Sequence, residues 1–258
     1  MLSTANISIG LVNYKSPEVT SVCLELLKKA IDVSTIPIWV IDNDSGDESL
    51  EYLKSLDWIR LIERKPVAGE AGFIAHGAGL DMILERVGTP YLLILHTDTF
   101  IYDPAIIQTM LNICEADAGV AAVGCLEPIW RSRPHLMWRY VTRGVKYYFR
   151  KMKIKIGLPS RWPKLHYETY LKSFCALWNV NIIRKHDLHF NMENRIPGYA
   201  MQDRLSQLGC KIIAIPPREM FSGLDHIEKA TASTQGGVRI NFRTAGKYQE
   251  KLKRARNA

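Results

Sequence analysis

A mostly parallel α/β sheet flanked by helices, carrying a basic helical insertion, is the fold class that this sequence of 258 residues predicts. Three observations carry the prediction. Over the first 126 residues, short β-branched or apolar runs alternate with stretches of helical periodicity, the pattern of βαβ units. The run 91–95 is apolar throughout, as a strand buried on both faces must be. A segment dense in Lys and Arg then breaks this alternation between Pro128 and Tyr167.

The elements follow in order. Residues 7–12 are β-branched and short, a strand, and Pro17 opens a helix with Val19, Val22, Cys23, Leu26, Leu27 and Ala30 on one face. A second strand, 36–41, runs into the turn-forming cluster Asp42-Asn43-Asp44-Ser45-Gly46-Asp47. Leu50, Leu53 and Leu56 have helical spacing, 58–62 is strand-like, and a Gly-rich stretch (Gly69, Gly72, Gly77, Gly79) leads into a helix near 80–87. After strand 91–95, Pro104 opens a further helix with Asp103 as its cap, and 120–126 is a strand. Beyond the insertion, 174–183 reads as a strand, 198–209 as a helix and 211–215 as a last strand, with a polar, weakly patterned tail from Ser222. The boundaries drawn are 1–126, 127–172, 173–226 and 227–258.

In parallel sheets, ligands bind at the carboxyl ends of the strands. Those ends carry Asn13-Tyr14, Asp42-Asn43-Asp44 and His96-Thr97-Asp98, so a site at that edge is expected from the pattern alone.

Composition narrows the class. With 47% hydrophobic and 23% charged residues the chain is a globular protein, and no apolar run reaches the roughly 18 residues of a membrane span. The start, MLSTANISIG, has no basic flank before an apolar core, so no secretory leader is expected. The five cysteines lie apart without a C-x-x-C pair, which speaks against both a zinc site and a disulfide framework and suits a reducing cytosol. Eleven of the 34 Lys and Arg fall between Pro128 and Tyr167, where there is no Asp or Glu; the rest of the chain has 23 basic against 26 acidic residues. The insertion interleaves these charges with aromatic and aliphatic residues. It reads either as a solvated face, or as an interfacial helix that docks on an anionic leaflet or binds an anionic or lipid-diphosphate acceptor. The same charges would suit nucleic acid, but no nucleic-acid-binding motif accompanies them, so no nucleic-acid partner is expected.

Four segments, in order, resemble nucleotide-sugar-dependent glycosyltransferases of family 2, in particular rhamnosyltransferase-like members with the Rossmann-like GT-A fold. Residues 7–14 (ISIGLVNY) resemble the first strand and nucleotide-contacting turn, and 39–47 (WVIDNDSGD) the V-V-D-N-x-S-x-D segment. Residues 92–99 (LLILHTDT) resemble the strand leading into D-x-D, and Phe190-Asn191 with Gln202-Asp203-Arg204-Leu205 the F-D-E and E-D-x-D-L pair. The likeness spans roughly 6–126 and 174–226.

By composition alone Asp42 is a turn or capping carboxylate. The resemblance implies that it accepts a nucleobase imide N–H, with Asn13, Tyr14 and Asn43 beside the base and Gly72 in the donor-binding segment. It makes Asp98 the ligand of a divalent metal on the donor diphosphate, Mn²⁺ or Mg²⁺. His96 stands where D-x-D has its first Asp, and an imidazole there favours Mn²⁺ over Mg²⁺. His226 is placed on the metal or diphosphate by analogy with a C-terminal His of some relatives. Asp203, taken alone a helix-dipole partner, becomes the general base of an inverting transfer, and Gln202 replaces the family's Glu. The processive motif Q-x-x-R-W is absent. The implied activity is therefore single hexosyl or deoxyhexosyl transfer to a glycan or lipid-linked acceptor, in the cytoplasm and peripheral to the inner membrane face. A sugar nucleotidyltransferase would need a G-x-G-T-R-type loop where the chain has Asn13-Tyr14-Lys15-Ser16. A non-catalytic binding protein on a decayed transferase fold stays open because of His96 and Gln202.

Overall fold

Seven strands form the central sheet of the computed structural model, which describes residues 1–70, 72–161, 163, 165–227 and 242–258. Its contacts divide the chain into two compact units, 1–129 with 171–258, and 130–170.

In the larger unit, β1 (Ile7–Asn13), β2 (Ile38–Asp42) and β3 (Ile59–Glu63) are joined through helices α1 (Pro17–Ala30) and α2 (Glu48–Lys54). Helix α3 (Gly72–Arg86) leads to β4 (Tyr91–His96), short β5 (Thr99–Ile101), α4 (Ala105–Ala116) and β6 (Val120–Gly124). The 23-residue helix α5 (Arg133–Lys155) lies in the smaller unit. The chain returns as β7 (Cys175–Asn179), α6 (Val180–Lys185), α7 (Tyr199–Gln207), β8 (Lys211–Ala214), α8 (Pro217–Met220), β9 (Leu224–His226) and α9 (Phe242–Arg256). The sheet order is β3-β2-β1-β4-β7-β6-β8; among the described strands of this sheet β7 alone runs antiparallel to its neighbours. A separate antiparallel ribbon pairs β5 with β9.

Alternation along the central strands divides the core. In β4, Leu93 and Leu95 face a cluster built with α1 and α4, while Leu92 and Ile94 face one built with α3 and α7. Each such fully buried aliphatic chain contributes on the order of 2 kcal/mol through the hydrophobic effect.

Several elements depart from what the sequence predicts. Helix α3 starts at Gly72 rather than near residue 80, so Gly72, Gly77 and Gly79 are helical. Two of them permit close approach. A Cβ at Gly79 would lie 3.2 Å from Val12 of β1, and one at Gly77 would lie 3.0 Å from Cβ of Asn191. The run 174–183 is not one strand: Asn179 ends β7 and its side-chain oxygen accepts the Ile182 N–H, capping α6. The tail holds β9 and α9, neither of which the sequence pattern shows. Asp103 accepts the Ala105 N–H (2.9 Å) at the start of α4, the expected cap.

Candidate active site

Parallel registry sets the stage. Asn13 pairs with Asp42 and Val12 with His96, so the ends of β1, β2 and β4 meet at one edge of the sheet.

At the β1–β2 end the polar side chains satisfy one another. Asn13 is fully buried, and its amide donates to Asp42 Oδ1 (2.8 Å), Ser45 Oγ (3.1 Å) and Ser49 Oγ (2.9 Å), while its carbonyl accepts from Thr20 Oγ1 (2.8 Å). Asp42, 1% exposed, takes the Ser45 hydroxyl (2.5 Å) on Oδ1 and the Ser45 N–H (3.0 Å) on Oδ2. Its carboxylate is therefore turned into the turn it closes. Asn43 Oδ1 accepts from Arg64 (3.0 Å), and Arg64 is held bidentately by Glu70 at 2.8 Å on both oxygens. Tyr14, 38% exposed, is the member of this group open to a ligand. Gly72 is exposed, with open space around its Cα.

At the end of β4 a second cluster forms. The β5–β9 ribbon pairs Thr99 with His226, and the Ile227 N–H donates to the Asp98 carbonyl (2.9 Å). That pairing brings residue 226 to residue 98. His226 Nε2 lies 3.2 Å from Asp98 Oδ1, and His96 Nδ1 lies 3.8 Å from the same oxygen. One ligand atom from each of His96, Asp98 and His226 lies within 4.8 Å of the others. The His226 ring stacks on Phe174 at 4.6 Å, and the His96 ring sits edge-on to that of His76 at 5.1 Å. Among the described residues, the buried His76 Nε2 has no hydrogen-bond partner.

The donor set suits a divalent cation. The His226 Nδ1–H donates to the Pro128 carbonyl (2.6 Å), which in the neutral ring leaves a lone pair on Nε2 facing a carboxylate oxygen. A cation between them, either a proton or a metal, resolves that opposition. A ring N–H fixed on a backbone carbonyl is also the usual way a ligating histidine is oriented. His96 Nε2 is bonded to Ser173 Oγ (2.9 Å), leaving Nδ1 toward Asp98. Burial lowers the His96 pKa to about 3 and that of His76 to about 4, so both rings are neutral and able to ligate or accept. For His226 burial also opposes charge, but the adjacent Asp98 carboxylate and the Pro128 carbonyl outweigh it and raise the pKa.

Asp203 sits on α7, where its Oδ2 accepts from Arg195 at 2.8 Å. A short chain of contacts links it to the histidine cluster. The neighbouring Gln202, 3% exposed, accepts the Leu171 N–H (2.8 Å) and donates to the Leu171 carbonyl (3.3 Å). Two residues on, Ser173 holds His96. Asp81 of α3 fixes the loop before α7 by accepting the N–H groups of Phe190 (2.6 Å) and Asn191 (3.1 Å). No motif or spacing in the sequence points to His76, Asp81, Ser173 or Arg195. Of these, His76 alone lies within the Gly-rich stretch.

A mostly parallel sheet with one reversed strand, helices on both faces and a polar cluster at the carboxyl edge defines a Rossmann-like fold of the GT-A type, the fold of nucleotide-sugar-dependent glycosyltransferases. Among solved structures the chain is similar to the mannosyltransferase PcManGT from Pyrobaculum calidifontis, solved with GDP-Man and Mn²⁺, with a TM-score of 0.57 and 12% identity. That match covers 82% of this chain but 55% of the mannosyltransferase, so the chain spans little more than half of that protein's length. It is likewise similar to residues 1–349 of TarS from S. aureus, with a TM-score of 0.54 and 11% identity, covering 97% of this chain and 71% of the other. No protein-family profile and no curated protein sequence matches it. Among the described residues no helix is long and apolar enough to cross a membrane.

Proposed function

We propose that the protein is a family 2-type, rhamnosyltransferase-like enzyme that moves one hexose or deoxyhexose from a nucleotide-diphosphate donor to a hydroxyl of a glycan or lipid-linked acceptor, with inversion. The observation that carries the reading is the convergence of His96, Asp98 and His226 at the carboxyl edge of a GT-A sheet.

In this reading those three residues hold Mn²⁺ or Mg²⁺, which when bound neutralises charge growing on the leaving diphosphate. Tyr14 packs on the nucleobase, Gly72 leaves room for the donor, and Asn13, Asp42 and Asn43 form the floor of the base pocket. A base that bonds Asp42 directly must displace the Ser45 contacts. Asp203 takes the acceptor hydroxyl's proton, and the Arg195 guanidinium gives way to or shares the carboxylate with that hydroxyl. We place the reaction in the cytoplasm at the inner membrane face, reached through residues 128–167.

The test is turnover. A nucleotide-sugar panel with Mn²⁺ or Mg²⁺ is screened first by thermal shift and then for transfer, with the product's anomeric configuration read by NMR. Wild type should turn over with inversion, and Asp203→Asn should lose at least ~10²-fold in rate while binding donor unchanged. Wild type that binds donor yet turns over with neither metal would instead support the non-catalytic reading suggested by Gln202. Nucleotidyl transfer in place of sugar transfer would equally overturn the proposal.

A further inference from the structure

The smaller unit explains its own charge. Within residues 130–170, one face of α5 packs on the segment that follows it: Arg139 and Arg143 both bind Glu168 Oε1 (2.6 and 2.8 Å), and the Tyr140 hydroxyl meets His166 Nε2 (2.9 Å). The Tyr147 ring also lies edge-on to His166 at 6.1 Å. Nothing on the opposite face is buried. At ~100° per residue, Met137, Val141, Val145, Tyr148 and Met152 fall in one stripe, with Trp138 and Phe149 along its side, in an arc of roughly 120°. Met137 and Trp138 are 70% exposed, and Val145 and Tyr148 65%. A contiguous apolar face of this kind marks a contact surface.

The charges say what covers it. Lys146 and Lys153 flank the stripe on one side, Lys151 and Lys155 on the other, and α5 has no acidic residue. A second copy laid stripe to stripe would bring the flanking lysines of each helix, Lys146, Lys151, Lys153 and Lys155, against their counterparts with no acidic residue of α5 between them. A nucleic acid would meet the apolar stripe before the lysines. A bilayer with anionic headgroups fits both features, because the stripe enters the acyl boundary while the flanking lysines reach up to phosphates.

We propose that α5 lies in the plane of an anionic membrane with the Met137–Val141–Val145–Tyr148–Met152 face immersed. The helix is too charged to cross the bilayer, and its 23 residues run about 35 Å along the surface. The inference deepens the membrane part of the function proposed above, and its test requires no turnover, so the two fail separately.

The full chain is sedimented with vesicles of phosphatidylcholine alone and of phosphatidylcholine with ~30% phosphatidylglycerol. Binding to the anionic vesicles only, weakened by salt, is expected. Trp138→Asp/Val145→Asp should reduce partitioning at least ~10-fold with unchanged circular dichroism, since both sites are exposed. Lys146→Glu/Lys153→Glu should reduce it by a similar factor. Wild type that binds neither vesicle overturns the proposal, as does binding that the stripe substitutions leave intact. A dimer in ultracentrifugation that Val145→Asp dissolves, without vesicle binding, would assign the stripe to self-association instead.

Discussion

Gln202 illustrates how a single residue's chemistry reads differently in sequence and in structure. As a departure from an expected Glu it suggests a weakened carboxylate pair, yet its amide both accepts from and donates to the Leu171 peptide unit. A carboxylate can only accept, so the amide suits this position and steadies the segment bearing Ser173 and hence His96. His76 makes a sharper prediction. Burial lowers its pKa from 6.5 to about 4, so the folded protein keeps it neutral where the unfolded chain takes up a proton. The stability due to neutral His76 is therefore complete above pH 6.5 and drains away as pH falls toward 4, at up to roughly 1.4 kcal/mol per pH unit. Urea unfolding of chelator-treated protein at pH 7, 6 and 5 should show His76→Leu with a flatter acid limb than wild type, by about one proton. Identical slopes would mean that the ring is already solvated in the native state.

His226 depends on elements that local sequence pattern cannot reveal. Strand β9 has three residues, too few to show alternation, and it exists because it pairs with β5 more than 120 positions earlier. Helix α9 then holds it: Lys251 donates to the His226 carbonyl (2.9 Å) and lies 3.4 Å from Asp225, while Arg254 and the Tyr102 hydroxyl reach Asp225 Oδ2 at 3.2 and 3.3 Å. Surface ion pairs of this kind contribute about 0–1 kcal/mol each, so their work here is positional. Lys251→Ala/Arg254→Ala should therefore weaken Mn²⁺ binding, read by calorimetry, about 10-fold or more while Tm falls by only ~2–4 °C. Unchanged affinity would show that β9 holds its register unaided. The same physics sorts what was legible. Strands β1, β2 and β4 announce themselves through buried apolar runs that stop at polar clusters, and the edge site follows from them. The start of α3 does not, because Gly77 and Gly79 oppose helix formation locally and are explained only by the close approach of Asn191 and Val12. His96 and Asp98 stand where a buried apolar strand ends, and the structure brings them to His226, whereas Ser173 and Asp81 act through backbone and hydroxyl bonds that leave no sequence signature.

At the scale of the whole chain, the basic segment is an insertion in the physical sense as well as the compositional one. The Lys172 N–H donates to the Cys125 carbonyl (2.8 Å), so the larger unit's backbone departs and returns at neighbouring positions, and its two ends need only a short bridge. None of the α5 side chains is buried, whereas the sheet and its flanking helices carry both buried hydrophobic clusters. The core on which stability rests is thus complete without residues 130–170. Closing so short a loop costs little chain entropy. Replacing 130–170 by a Gly-Ser linker of about six residues should leave a cooperatively folding protein with Tm within ~3 °C of wild type, followed by circular dichroism. It should also lower the net charge, because the segment carries all eleven Lys and Arg between Pro128 and Tyr167 against a single acidic residue, Glu168. A deletion variant that unfolds non-cooperatively, or only as an aggregate, would mean that the insertion shares the core after all, and the division of the chain into a folding unit and an appended surface would be lost.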